Sequence, residues 1–399
     1  MVFVGVDIGK DRHAAAAVGT AGEVLMPPRF VTQDAGGFAS LSGALGALGG
    51  AAGVIVGMEA TGHYWKPLRH NLAAQGYRVD VINPLITSRE ASADVRGRKT
   101  DKLDAIAIAN VVRRGGYSPA PTEDVQTDAT KAFARQRRYL VGRRSDAKRR
   151  LAAALDVVFP EAAQMVDDLC GATSLAVIAA FPSARLMAGV DIRKLTSLFA
   201  KASRGKLGRE AAEEIRTAAQ RSVSRTIVNE GEEFIAIQTV EEIRSLSVQI
   251  ETAEERLLST AAQPAARILA SIKGAGKIQP RVFAAELGDL SRFAGPDMSS
   301  KIIAFAGCEP RVRESGTWKG RSKMSKRGSA PMRTELYLMA CTCRLHTPYF
   351  NEIYKRHIAR GKHHNVAISH VMRKIVEVMC GMYKTDTTFA APQLQAKPC

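Results

Sequence analysis

Four carboxylates stand where the local pattern can bring them together. Asp7 closes the apolar run "VFVGVD" (2–7), Glu59 closes "GVIVGME" (53–59), and Asp101 and Asp104 lie three apart in "RKTDKLDA" (98–105). Residues spaced i, i+3 share one face of a helix, and strand ends in a mixed sheet can lie side by side. Carboxylates from two strands and one helix give an all-oxygen donor set that suits a pair of Mg²⁺ ions. Such a pair can stabilise both the attacking and the leaving oxygen of a phosphodiester. Any one of these residues alone reads more simply as a cap or a solvated face; the order and spacing of all four favour metal ligation. The "DIG" turn (7–9) also suits an actin-like sugar kinase, but the second Asp-x-Gly phosphate turn and the Gly-rich adenosine loop of that class are missing.

A second kind of chemistry is carried by Ser315, which precedes Gly316 in "CEPRVRESGTWKGRSKMSKRG" (308–328). A serine hydroxyl needs a base, a metal or nearby cations to become a nucleophile. Attack on DNA phosphorus would give a phosphoserine link that conserves the bond energy needed for rejoining. Taken alone, Ser-Gly in a polar loop is a turn, so the surrounding charge matters. The chain carries a formal net charge of +18 over 399 residues, and fifteen of those charges sit in two windows, 131–150 and 311–333. Clustered cations favour a polyanion, above all nucleic acid. Arg135, Arg137, Arg138, Arg143 and Arg144 in the first window are candidates to bind phosphates. So are Arg311, Arg313, Lys319, Arg321, Lys323, Lys326 and Arg327 in the second. Trp318 could stack on a base or anchor the loop. His363 and His364 in "GKHHN" read as a solvated loop near nucleic acid, since no Cys or acidic partner stands at ligand spacing.

The elements that must position these groups follow from periodicity. Short apolar runs at 2–9, "HAAAAVG", "VLMPPRFVT", 53–60 and "RVDVINP" predict strands, with helices over "GGFASLSGALGAL" and "YWKPLRHNLAAQG". Three strands, a helix, then alternating strand and helix is the order of a ribonuclease-H-like α/β fold, ending near the Gly and Pro cluster at 115–121. From about 124 to 265 strand signals vanish. Leu140, Ala147, Leu151, Leu155 and Val158, and then Val240, Ile243, Ile250 and Leu257, recur at helical steps and predict two long helices packed as an antiparallel coiled-coil arm, with a plain helical-bundle core as the alternative. Residues 266–385 read as mainly helical. There "ILASIKGAGKIQPRVFAAELGD" (268–289) predicts a helix, a Gly-x-Gly turn and a second helix, a hairpin that can hold a DNA phosphate near Lys273 and Lys277. The expected boundaries are 1–120, 121–265, 266–385 and a tail, 386–399. Six cysteines without CxxC pairs suggest reduced thiols. With no basic leader and no apolar run of about 20 residues, a soluble, cytoplasmic protein is expected.

Together, "GVDIGKDRHAAAAV", "GMEATGHYW", "RKTDKLDA", "ARQRRYLVGRR", "IKGAGKIQPRVFAAELGD", "FAGCEPRVRESG" and "MSKRGSAPMR" resemble the DEDD-type transposases of insertion-sequence family 110 and the related Piv-type DNA invertases. The resemblance spans almost the whole chain. It implies a RuvC-like domain in which Asp7, Glu59, Asp101 and Asp104 bind Mg²⁺, and a C-terminal transposase domain with Ser315 as nucleophile. It further implies a homodimer assembling to a homotetramer, a site shared between protomers, and a noncoding bridge RNA that pairs with donor and target double-stranded DNA. Two positions depart from the family pattern: Lys273 stands where the hairpin usually has Pro, and Ser329 where Asn is common. The alternatives are a RuvC-like structure-specific nuclease, which needs the carboxylates and not the serine, a Piv-type site-specific invertase, and a non-catalytic nucleic-acid-binding protein.

Overall fold

Five strands form the only large sheet among the residues described by the computed structural model, which are 1–60, 62–84, 86–87, 100–117, 125–164, 168–311, 314–315, 318–319 and 323–390. Strands β1 (Val2–Asp7), β2 (Arg12–Val18), β3 (Val24–Thr32), β4 (Val54–Glu59) and β5 (Arg78–Ile82) lie in the order β3-β2-β1-β4-β5. The first three pair antiparallel, and β1–β4 and β4–β5 are parallel. Pro27 and Pro28 fall on β3, an edge strand, where a missing ladder N–H costs least.

Helices α1 (Ala35–Ala47), α2 (Gly50–Gly53), α3 (Trp65–Ala74) and α4 (Asp101–Arg114) complete this part. Leu41 and Leu45 of α1 and Leu68 and Leu72 of α3 cover one sheet face, packing on Val4, Val6, Val56 and Met58. The opposite face carries Gly5 and Gly57, paired in register, and takes α4. A Cβ at Gly5 would overlap the Ala105 carbonyl oxygen and the Ala109 amide of that helix. Glycine is needed here for backbone-to-backbone approach.

The chain divides into two compact units, Met1–Asp124 and Val125–Cys399. In the second, α5 (Val125–Val158) is followed by α6 (Ala172–Ala180), α7 (Ala184–Gly189), α8 (Ile192–Ala202), α9 (Arg209–Arg221) and α10 (Glu230–Ser259). Helices α5 and α10 run antiparallel, joined by a seam of Leu140, Ala147, Leu151, Leu155, Val158, Val240, Ile243 and Ile250. These are eight of the nine residues whose spacing predicts the arm; the ninth, Leu257, packs with Ala134 and Val282. The short helices between form a core of their own around Phe159, Met187, Leu195 and Phe199.

Beyond the arm come α11 (Pro264–Ala270), α12 (Ile278–Leu287), α13 (Met298–Phe305) and four two-residue strands: β6 (Pro310–Arg311), β7 (Glu314–Ser315), β8 (Trp318–Lys319) and β9 (Lys323–Met324). Then follow α14 (Ala330–His346), α15 (Pro348–Ala359) and α16 (His364–Thr385). A large core built on Phe283, Leu336, Met339, Phe350, Ile375 and Met379 holds these helices together. Among the described residues no helix is long and apolar enough to cross a membrane. Cys343 lies in that core, and burial pushes its thiol up to about 12.

Candidate carboxylate site and nucleic-acid interface

Asp7 and Glu59 end neighbouring parallel strands. Val6 pairs with Met58, so the next residue on each strand, Asp7 and Glu59, falls in the same row. The row continues through Ala14 on β2 to Phe30 on β3. Strand alternation puts Asp7 on the face of Gly5, and Glu59 on that of Gly57, which is the face that carries α4. The helix begins over the far end of this row, where Lys102 Nζ lies 5.6 Å from the centre of the Phe30 ring.

Thr100 starts α4. Its hydroxyl accepts from the Leu103 amide at 3.3 Å, and Asp101 and Asp104 occupy the first turn, where the helix dipole favours negative charge. Asp101 is exposed, while Asp7, Glu59 and Asp104 are half-buried. Glu59 is oriented by Thr87, a buried residue whose hydroxyl donates to Oε2 at 2.7 Å and also lies 3.0 Å from the Pro84 carbonyl oxygen. Sequence reasoning overlooks Thr87; the "NP" at 83–84 just after β5, followed by a hydroxyl three residues on, is its only trace. The backbone thus brings Asp7 and Glu59 together and sets the first turn of α4 on their face of the sheet. Among the described residues, no group of three or more His, Cys, Asp or Glu side chains converges closely enough to hold a metal ion.

Two family models match the chain: a DEDD-type IS110 transposase model over residues 4–160, and the "Transposase IS116/IS110/IS902 family" over 266–355. The chain belongs to the IS110/IS116 transposase family. It is 22% identical to the 44.8 kDa protein of insertion element IS116 from Streptomyces clavuligerus, over 97% of this chain and 96% of that protein. It is 24% identical to the 42 kDa protein of insertion element IS900 from Mycobacterium paratuberculosis, over 97% of each. A further relative, the 43.6 kDa protein of insertion element IS110 from Streptomyces coelicolor, is 27% identical over 39% of this chain and 36% of its own length. The first match covers the sheet, α4 and the first long helix of the arm, α5; the second covers the hairpin, the serine segment, α14 and most of α15.

In the second unit of this transposase, Ser315 lies on β7, in register with Trp318 of β8. Arg311 and Lys323 face each other across β6 and β9. Together with Lys326 and Arg327 they are exposed and form no ion pair among the described residues. Lys319 is on β8, and Arg313 and Arg321 lie outside the described residues. Both ends of this segment are tightly drawn. A Cβ at Gly328 would overlap the Phe305 carbonyl oxygen, and Arg333 Nη1 donates to the Ala306 carbonyl at 2.9 Å.

The arginines of the arm are deployed differently. Arg135 makes two hydrogen bonds to Glu286, at 2.8 and 3.3 Å, Arg137 pairs with Glu254 at 2.6 Å and Arg143 with Glu242 at 2.8 Å; Arg144 donates to Ser247 at 3.2 Å. Arg138 makes no hydrogen bond among the described residues, though its charge reaches the buried Glu335 carboxyl. Burial raises the pKa of Glu335 against the pull of Arg137 and Arg138. Much of the positive charge of this window is therefore met within the chain.

The Gly-x-Gly turn joins α11 to α12 as its spacing predicts. Gly274 has φ +97° and a Cβ there would strike the Thr342 carbonyl oxygen; Gly276 has φ +72°. At the departure from the family pattern, the Lys273 carbonyl accepts from Thr347 Oγ1 at 3.0 Å, which ties the turn to the start of α15. Lys277 immediately precedes α12. Ser329, the other departure, caps α14: its Oγ accepts from the Met332 amide at 3.3 Å and donates to Glu286 Oε2 at 3.0 Å. Glu286 thus ties the arm, the hairpin and the helix that follows the serine segment. Burial pushes its carboxyl up, but the hydrogen bond from Arg135, the charges of Arg135 and Lys131, and the Ser329 hydroxyl outweigh burial and leave the pKa lowered.

Proposed function

We propose that this transposase cuts and rejoins DNA using a RuvC-like carboxylate site in its first unit and Ser315 in its second. The observation that carries the reading is the row at the sheet end: Asp7 beside Glu59, on the face against which Gly5 admits the backbone of α4, the helix that bears Asp101 and Asp104 in its first turn. The donors are all hard oxygens, which fit Mg²⁺. Asp101 is exposed and Asp7, Glu59 and Asp104 are half-buried, so all four lie outside the fully buried core. Asp7, Glu59, Asp101 and Asp104 would hold the ions, which when bound supply charge neutralisation to the phosphodiester. Thr87 keeps Glu59 turned in a fixed direction, as outer hydrogen bonds do for metal ligands.

In this reading the Ser315 oxygen forms a bond to phosphorus as the bond to a sugar oxygen breaks. A DNA hydroxyl later displaces the serine, so no external energy source is needed. Arg311, Lys323, Lys326 and Arg327 hold the backbone nearby, with Arg313, Lys319 and Arg321 in the same segment. The family resemblance supports the remaining parts: residues 1–120 as metal domain, 121–265 as dimerisation arm, 266–385 as transposase domain, a bridge RNA that selects the DNA sites, and dimers that join into tetramers.

The test is formation of the excised circular junction in cells carrying the intact element with its flanking noncoding DNA. Loss of the junction in both Asp101→Ala and Ser315→Ala, with protein level maintained, is the expected result. A junction that persists in Ser315→Ala would remove the serine from the mechanism and leave the metal-only nuclease reading.

A further inference from the structure

The segment where α15 turns into α16 bears a cationic cluster outside both windows already described, starting where the family match ends at residue 355. From Lys355 to Arg373 there are five Lys or Arg, four His and no Asp or Glu. Lys355, Arg356, Arg360 and Lys362 are exposed and have no ion pair among the described residues. Arg373 is held by Glu377 at 3.2 Å, within its own helix.

The turn between the helices is rigidly built. Gly361, at φ +71°, ends α15, with its amide donating to the Ile358 carbonyl and that of Lys362 to His357. His363 Nδ1 accepts from the Asn365 amide at 3.2 Å and so caps α16. The His364 ring is hydrogen-bonded to the Tyr354 hydroxyl at 2.8 Å, and the Tyr337 hydroxyl donates to Asn365 at 3.4 Å. Arg344 lies over the Tyr354 ring, 4.3 Å from its centre. A turn pinned at this many points presents its cations without first having to order.

Across the two helices His357 and His370 stack face to face, ring centres 3.6 Å apart and planes 2° from parallel. Neither ring is hydrogen-bonded to another described residue, so their nitrogens remain available. The charged groups acting on the pair are Arg356 and Arg360 of α15, Lys362 of the turn and Arg373 of α16, all cationic. Burial first, then the charge of His370 and of Arg360, Arg356 and Lys362, holds His357 below its ordinary pKa; burial, then Arg373 and Lys362, does the same for His370.

We propose that this turn is a further binding site for a nucleic-acid sugar-phosphate backbone, and that the His357–His370 pair takes up a proton when a phosphate binds. The proposal rests on the nucleic-acid reading above and adds to it a location and a proton linkage. Unpaired cations without any interspersed carboxylate attract phosphates. A bound phosphate offsets the cationic repulsion that adds to burial in keeping the imidazoles neutral, so one of them gains a proton and donates it in a charge-assisted hydrogen bond. Because protonation is easier in the bound state, affinity must rise as pH falls, by at most about tenfold per pH unit for one proton.

The experiment is fluorescence anisotropy of the full chain with a short duplex DNA and, separately, a structured RNA of matched length. Salt is varied at fixed pH, and pH is varied between about 8 and about 6, the range in which histidine titrates. Arg356→Ala/Arg360→Ala/Lys362→Ala should weaken binding and flatten the log–log salt slope by about 0.9 for each duplex phosphate no longer neutralised, so by roughly 2–3 in all. His357→Asn/His370→Asn should bind as wild type at the alkaline end and lose most of the gain on acidification. The nucleic acid whose binding responds identifies the natural ligand of the turn. If wild type binds and both variants match it in slope and pH profile, this site is refuted and the transposase reading is untouched. If the wild-type chain binds neither DNA nor RNA, both fall.

Discussion

Removing Arg135 should cost more than removing the charge it neutralises. The Glu286 side chain is 3% exposed and Arg135 is 57% exposed, so the two partners differ in what each leaves behind. Arg135→Ala strands a carboxylate in the core with one hydroxyl, that of Ser329, and the nearby charge of Lys131. Breaking a buried pair in this way costs about 3–5 kcal/mol when the orphaned charge stays. Glu286 can instead take a proton. From an unfolded value of 4.5, that escape costs at neutral pH about 3.4 kcal/mol, at 1.36 kcal/mol per unit. The lower figure caps the loss, and water around exposed Arg135 discounts it further, so about 2–3 kcal/mol is expected. Glu286→Gln leaves a solvated arginine and a neutral amide that still accepts hydrogen bonds, at a cost of about 1–2 kcal/mol. The double variant should therefore be more stable than Arg135→Ala alone. The pH dependence has a definite sign. The native pKa of Glu286 is depressed, so its contribution is complete above 4.5 and is lost as pH falls through the native value. In Arg135→Ala the penalty shrinks as pH falls toward 4.5. Urea unfolding of the full chain, with amide exchange of α12 and α14 to assign the transition, measures all of this. A loss below about 0.5 kcal/mol, the level of an ordinary surface change, or a double variant no better than the single, would refute the argument.

Two further outcomes concern the first unit. Gly5→Ala should destabilise the packing of α4 on the sheet by about 1–3 kcal/mol, because its new methyl meets helix backbone; Gly57→Ala, which meets the side chains of Val112 and Ile82, should cost less. Amide exchange of α4 ranks the two, and equal protection would contradict the assignment of close approach to Gly5. Thr87→Val keeps the shape and removes the hydroxyl that orients Glu59, so junction formation should fall by about 10–100-fold, the usual effect of losing an outer-sphere hydrogen bond to a metal ligand. Unchanged activity would mean that Glu59 is positioned by other groups.

The sheet was legible because its signals are local. The apolar runs ending at Asp7 and Glu59 alternate with turn residues, and Pro27 and Pro28 mark an edge without disrupting it. The seam of the arm was legible for the same reason, since Leu151, Leu155 and Ile243 repeat at helical steps. The deployment of charge was not. Arg135, Arg137 and Arg143 look unopposed within their own helix, and their partners Glu286, Glu254 and Glu242 stand on other helices about a hundred or more residues away. A window count registers clustering but not neutralisation across an interface formed only on folding. Thr87 was hidden likewise: its role depends on where the chain returns after β5. Nothing in the sequence singles out the glycines at 5 and 57, and their purpose emerges only from the helix lying across them.

The division of the chain into two compact units makes the shared-site idea testable by mixing. Suppose the carboxylates of one protomer act with the serine of another. A dimer of one Asp101→Ala chain and one Ser315→Ala chain then contains one doubly damaged site and one intact site. If instead both sets act within one protomer, each site carries a defect and none is intact. Random mixing gives about half mixed dimers in a two-fold assembly, so about a quarter of all sites would be whole. Co-expression of the two inactive variants should then restore junction formation to roughly that fraction, while each variant alone stays silent. The doubly substituted chain with wild type is the matched control, and it keeps some intact sites under either arrangement. Recovery in the control without recovery in the Asp101→Ala and Ser315→Ala mixture would place carboxylates and serine in the same protomer and end the composite-site reading.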